Sequence, residues 1–214
     1  TLDDPILRQF LPLPEENEET PGFPLDPVQD SQFVKTPKML QKYQGRALIL
    51  ASGACAMHCR FCFRQNFPYE KEVAGFDLEI ETLKQDTSLS EVILSGGDPL
   101  SLSNEALFHL FSALKPLIHI RRVRFHSRFP IGIPERIDQE FLQILENSGK
   151  QIFFIIHSNH PKELDADVLS ALKRLRQSGA VVLNQSVLLK GVNDDPEVQL
   201  ALAETLVDNG IIPY

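Results

Sequence analysis

The sequence predicts an α/β protein: a partial (βα)6-type barrel over residues 41–214, preceded by an irregular N-terminal arm over residues 1–40. Three observations point to it. Apolar, often β-branched runs recur after Gly45, and from the second run onward they start about every thirty residues, the length of one βα unit. Stretches with helical periodicity lie between most of them. Polar residues collect where the runs end.

The arm is read first. "LPLPEENEETPGFPLDPVQD" is crowded with proline and acid, and proline interrupts helices and sheet ladders alike. It is expected to be a solvated leader wrapped over the domain. The runs follow: "ALILAS" (47–52), "EVILSGG" (91–97), "VRFHSR" (123–128), "QIFFIIHS" (151–158), "VVLNQSV" (181–187) and "IIPY" (211–214). Their continuous apolar character implies parallel strands buried on both faces. "SNEALFHLFSALKPL" predicts a helix capped by Ser103 or Asn104. "ELDADVLSALKRLRQSG" predicts a second, closed by Gly179. "DPEVQLALAETLVDNG" predicts a third, with Pro196 near its start and Gly210 at its end.

A doubly wound sheet and a barrel both fit this alternation. The polar strand ends favour the barrel: the cysteine loop, Ser95-Gly96-Gly97-Asp98, His126-Ser127-Arg128, His157-Ser158-Asn159 and Asn184-Gln185-Ser186. A doubly wound sheet uses only the strands near its switch point. A barrel gathers residues from the ends of many strands.

At 214 residues, 43% of them hydrophobic, the chain can bury a core of ordinary size. A net charge of −8 argues against nucleic acid or acidic lipid as a partner, because both need a basic surface. No run approaches the roughly 20 apolar residues of a membrane span. The clustered thiols, with no apolar leader, predict a cytoplasmic location. In "RRVRFHSR", strand alternation sets Arg122 and Arg124 on one face, which is expected to be solvated or paired with a helix.

All three cysteines, Cys55, Cys59 and Cys62, lie in "GACAMHCRFCFRQNFPY". The spacing C-x3-C-x2-C offers three soft ligands from one loop. Zinc with His58 as a fourth ligand is one reading, although so short a loop closes a tetrahedron with difficulty. A [4Fe–4S] cluster with one iron left open for a small chelating molecule is the other.

This loop after the first strand, with Phe61 before its last cysteine and "SGGDPL" ending the second strand, resembles the radical S-adenosylmethionine (SAM) enzymes. "YQGRALIL", "CRFCFRQNFPY", "HSRFPIGIPERI", "HSNHPKEL" and "NQSVLLKGVND" extend the resemblance over essentially the whole chain to the lysine 2,3-aminomutases. "DPILRQFLP", "TPGFPLDP" and "CFRQNFPY" are similar to the bacterial branch that makes (R)-β-lysine for elongation factor P.

The resemblance implies the partial TIM barrel of radical SAM enzymes and three cofactors: a [4Fe–4S] cluster on Cys55, Cys59 and Cys62, SAM, and pyridoxal 5′-phosphate (PLP). It assigns Gly96, Gly97, Asp98, His157 and Gln185 to SAM. The glycines are expected there because backbone approaches a ligand closely only where no Cβ intervenes. Arg64 is assigned to the substrate carboxylate, which a guanidinium can grip with two bonds. Lys42, Tyr43 and Arg46 are assigned to PLP. The family's PLP-linked lysine and its ligands for the substrate ε-amine are expected beyond Tyr214, making this chain the SAM-binding portion of a longer enzyme. Lys190 does not match that motif.

The implied reaction is an isomerisation. One electron cleaves SAM to a 5′-deoxyadenosyl radical, hydrogen leaves Cβ of PLP-bound lysine, and the amino group moves from Cα to Cβ. Implied partners are L-lysine, a one-electron donor such as flavodoxin or ferredoxin, a ligase acting on elongation factor P, and further copies of the chain in a homo-oligomer. Two alternatives stand beside this reading: an aminomutase for glutamate or arginine, and a non-catalytic metal-binding scaffold.

Overall fold

The computed structural model describes residues 3–18, 20–69 and 75–214; residues 1, 2 and 19 of the arm, and 70–74, lie outside the described residues. One sheet runs β1 to β8 in chain order. β1 (Val34–Thr36) and β2 (Met39–Leu40) form an antiparallel hairpin against β3 (Arg46–Ser52). From β3 the pairing is parallel: β4 (Glu91–Gly96), β5 (Arg122–Ser127), β6 (Gln151–Ile156), β7 (Val181–Asn184) and β8 (Ile212–Pro213). An order that never reverses has no switch point. Successive crossovers of one hand therefore roll the six parallel strands into a partial barrel.

The crossovers carry α1 (Asp77–Gln85), α2 (Asn104–Leu114), α3 (Phe129–Gly132), α4 (Gln139–Glu146), α5 (Ala166–Gln177) and α6 (Pro196–Asp208). Three of the longer helices, α2, α5 and α6, are those the periodicity marks. Ser103, not Asn104, caps α2, its Oγ accepting from Ala106 N at 3.2 Å. Asp138 and Asp165 cap α4 and α5 in the same way, each satisfying one orphan N–H.

The core lies between the sheet and these helices. Phe125 is its centre, its ring stacked on Phe154 (5.2 Å) and Phe111 (5.9 Å) and meeting the edge of Phe141 (5.8 Å). Strand alternation then turns Arg122, Arg124 and His126 to the opposite, inner face. This corrects the expectation for the two arginines. They do share a face, but no helix pairs with it, because Val123 and Phe125 occupy the helix side, and only Arg122 stays substantially exposed, at 35% against 15% for Arg124. Both guanidiniums bond the buried Glu91, at 3.0 and 3.1 Å.

The arm also departs from expectation. Its last residues are regular strands, with Met39 paired to Ile49 and fully buried. The turn at Pro37 is held from α1, where Glu79 Oε1 accepts from Thr36 Oγ1 (2.6 Å) and Lys38 N (3.1 Å). Further upstream, Phe23 and Leu25 are exposed as a leader predicts, while Gln9 and Asp30 are buried. Among the described residues no helix is long and apolar enough to cross a membrane.

Candidate functional site

The cysteine loop leaves the end of β3 and is stitched to the end of β4. Gly97 N donates to Ser52 O (2.7 Å) and Asp98 N to Ala54 O (2.8 Å). A Cβ on Gly97 would lie 2.3 Å from Ala54 O, and one on Gly96 2.4 Å from Ser52 O, with Gly96 at φ +119°. Both positions therefore demand glycine. What approaches these two positions so closely is the protein's own backbone at Ser52 and Ala54, where the cysteine loop begins.

Cys55, Cys59 and Cys62 are free and half-buried. Burial pushes the Cys55 thiol up to about 12, and the neighbouring Asp98, Cys62 and Cys59 add to it. Burial also raises Cys59, opposed by the charge of Arg128, whose Nη1 donates to Cys59 Sγ at 3.4 Å. Three thiols within one another's field are costly to ionise together unless a cation takes up the charge. Among the described residues no three His, Cys, Asp or Glu side chains are gathered as the ligands of a single metal ion. A cubane binds each thiolate at a separate iron, and three soft donors spread over one loop fit it.

At the mouth of the barrel, Asp98 is buried with its carboxylate fully engaged. It accepts from Leu100 N (2.9 Å), Ser127 Oγ (2.8 Å) and Arg128 N (2.8 Å), and burial raises its pKa to about 6. Its side chain thus ties the end of β4 to the end of β5. His126 and His157 face each other with ring centroids 5.8 Å apart. Burial holds them at about 3 and about 4, so both are neutral at pH 7. Gln185 N donates to Ile156 O at 2.9 Å. Among the described residues neither imidazole nor the side-chain amide of Gln185 has a hydrogen-bond partner, which leaves three polar groups for a ligand.

The remaining expected residues meet in one cavity of about 200 Å³, lined by Asp30, Lys42, Tyr43, Arg46, Phe63 and Arg64 over a floor of Leu48 and Ile93. Arg64 Nε bonds Asp30 at 2.8 Å and Nη1 bonds Ser95 Oγ at 3.0 Å, with Phe63 under the guanidinium. Those bonds fix its plane and leave Nη2 without a partner among the described residues. Lys42 Nζ donates to the Val28 carbonyl, and Arg46 lies 5.9 Å from the Tyr43 ring. Two cations and a phenol suit a phosphate. Among the described residues Lys42 is the only lysine on this lining. A larger cleft of about 570 Å³ lies outside the barrel between α2 and α4, away from these groups.

Sequence reasoning missed Asp30 and Gln9, which stand in the proline-rich arm with no local pattern to mark them. Arg128 was noted only as a polar strand end, and its bond to Cys59 spans 69 residues.

The sequence pattern that defines the Radical SAM superfamily matches residues 49–202. The chain is 40% identical over 215 residues to the L-lysine 2,3-aminomutase of Escherichia coli (strain K12), covering 99% of this chain and 63% of that protein. It is 37% identical over 214 residues to that of Haemophilus influenzae, with the same coverage. Against the L-lysine 2,3-aminomutase of Clostridium subterminale the identity is 31% over 216 residues, covering 99% of this chain and 52% of the other. The chain thus spans between about half and two thirds of the length of these curated relatives. With the cysteine loop stitched to the β4 end and the matched pattern running through both, the chain belongs to the Radical SAM superfamily.

Proposed function

We propose that this chain is the cluster- and SAM-binding part of a PLP-dependent L-lysine 2,3-aminomutase that moves the α-amino group of lysine to Cβ, giving (R)-β-lysine for modification of elongation factor P. One observation carries the reading: a single cavity joins Arg64, suited to a carboxylate, with Lys42, Tyr43 and Arg46, suited to a phosphate. The names of the relatives support lysine as the substrate.

In this reading Cys55, Cys59 and Cys62 hold the cluster. Gly96, Gly97, Asp98, His157 and Gln185 form the SAM site, the glycines and Asp98 by shaping the strand end and the other two by direct contact. When bound, the cluster and SAM supply a carbon radical, and PLP supplies a π-system that stabilises the migrating amine. The protein's own part is placement. Asp30 and Ser95 hold Arg64 so that Nη2 meets the substrate carboxylate. The neutral His126 and His157 keep the inner face free of added charge. A one-electron donor such as flavodoxin or ferredoxin, a downstream ligase, a cytoplasmic location and a homo-oligomer complete the proposal.

The test is substrate conversion. The protein containing this chain, loaded anaerobically and given SAM, PLP and a reductant, is expected to turn L-lysine into β-lysine and to leave glutamate and arginine unchanged. Formation of β-glutamate or β-arginine instead would replace the substrate.

A further inference from the structure

Arg128 is a buried cation whose environment stability alone does not explain. Its side chain is 6% exposed. Nη1 donates to Cys59 Sγ (3.4 Å), while Nη2 donates to Gln9 Oε1 (2.6 Å) and to Glu163. Phe10 and Phe61 cover the guanidinium at 4.6 and 5.3 Å. Nε is buried without a partner among the described residues. A buried ion pair seldom stabilises a fold beyond what apolar residues of the same size would, and an orphaned donor adds to its cost. The position is nonetheless fixed from three directions. Asp98 holds Arg128 N at 2.8 Å. Glu163 Oε2 is anchored by Asn159 N (2.7 Å) and His160 N (2.9 Å). Gln9 is anchored by Asn159 Nδ2 (2.9 Å) and through its carbonyl by Arg60 N (3.0 Å).

The group these contacts aim at is a cysteine sulfur. Reduction of an iron–sulfur cluster adds one electron, and a cation that hydrogen-bonds a ligand sulfur favours the reduced state. We propose that Arg128 is a positioning residue that raises the reduction potential of the cluster through its bond to Cys59 Sγ, and that Gln9 of the N-terminal arm holds it there. The proposal rests on the reading that the three cysteines carry a cluster. It gives the arm a part in electron uptake from an external one-electron donor. It also explains why Gln9, a polar residue of the arm, is buried.

The test is an anaerobic redox titration of the cluster-loaded chain, followed by electron paramagnetic resonance, with Arg128→Gln and Gln9→Glu beside the parent. Failure of the parent to bind iron would strike the cluster reading itself, separately from this inference. Arg128→Gln removes the charge, and its reduction equilibrium is expected to fall about tenfold, about 59 mV for one electron, with iron content retained. Gln9→Glu is isosteric and leaves the sulfur contacts in place, but sets a carboxylate against Nη2. Its midpoint is expected to move the same way by a smaller step. A parental midpoint in either loaded variant overturns the proposal. Loss of the cluster from both variants also overturns it, because Arg128 would then serve only to build the loop.

Discussion

On the helix side of the sheet, Val92, Leu94, Val123, Phe125 and Phe154 are apolar and almost wholly shielded from water. Their strand neighbours on the inner side include Glu91, Arg122, Arg124, His126 and His157, charged or polar and mostly half-buried. These three strands, β4, β5 and β6, thus carry a packed core on one face and a set of polar groups on the other. Side chains on the outer face are judged by volume, whereas those on the inner face are judged by what they bond. Substitutions on the two faces should therefore fail differently, the first in stability and the second in ligand binding at nearly constant stability.

The largest expected effect is on the outer face. Phe125→Ala should cost about 3–5 kcal/mol of unfolding free energy, because three rings close round a cavity that cannot fully collapse. Urea denaturation checks it, and a loss under 1 kcal/mol would mean that the face is loosely packed.

Next comes the inner face. Arg64→Lys keeps the charge and loses the planar fork. Lysine turnover should fall by an order of magnitude or more, from a charge-assisted bond worth about 1.5–3 kcal/mol. Iron content and thermal stability should hold, and unchanged turnover would remove Arg64 from the substrate site.

Gly97→Val probes the seam between strand end and cysteine loop. Overpacking there should cost about 1–3 kcal/mol and displace the loop at Ala54, so iron content should drop while far-ultraviolet circular dichroism is preserved. Full iron with weakened SAM binding would instead restore a direct ligand contact at this glycine.

The smallest effect is a pH dependence. His126 and His157 sit below their ordinary value of 6.5, at about 3 and about 4, because burial favours the neutral ring. The unfolded chain takes up protons first, so the stability they contribute is complete above pH 6.5 and is lost as pH falls toward 4. Asp98, raised from 3.8 to about 6, works the other way across the same window, its contribution being lost as pH rises. The two rings outweigh the one carboxyl. A modest fall in the thermal midpoint is expected between pH 7 and pH 6, and it should flatten in a His126→Asn/His157→Asn double variant. A midpoint that rises on acidification would reverse the balance.

Much of this was legible in the sequence. Continuous apolar runs give parallel strands, and the clustered thiols mark the loop that is stitched to the end of β4. Alternation placed Arg122 and Arg124 together but could not say which face was inside. Only pairing with Glu91 across the β4–β5 register decides that. The Asp30–Arg64 and Gln9–Arg128 contacts were invisible because they span 34 and 119 residues, and tertiary pairs at such separations leave no local periodicity. The hairpin at β1–β2 was hidden by Pro37, which reads as a break although it occupies a turn.

Iron and sulfide analysis after anaerobic reconstitution tests the central claim, that one loop with three thiols holds a cubane with an open iron. About four irons and four sulfides per chain are expected, with a cluster spectrum that changes when SAM is added and with iron lost in Cys55→Ser, Cys59→Ser or Cys62→Ser. A single zinc per chain, or full iron in any one of the three serine variants, would contradict it.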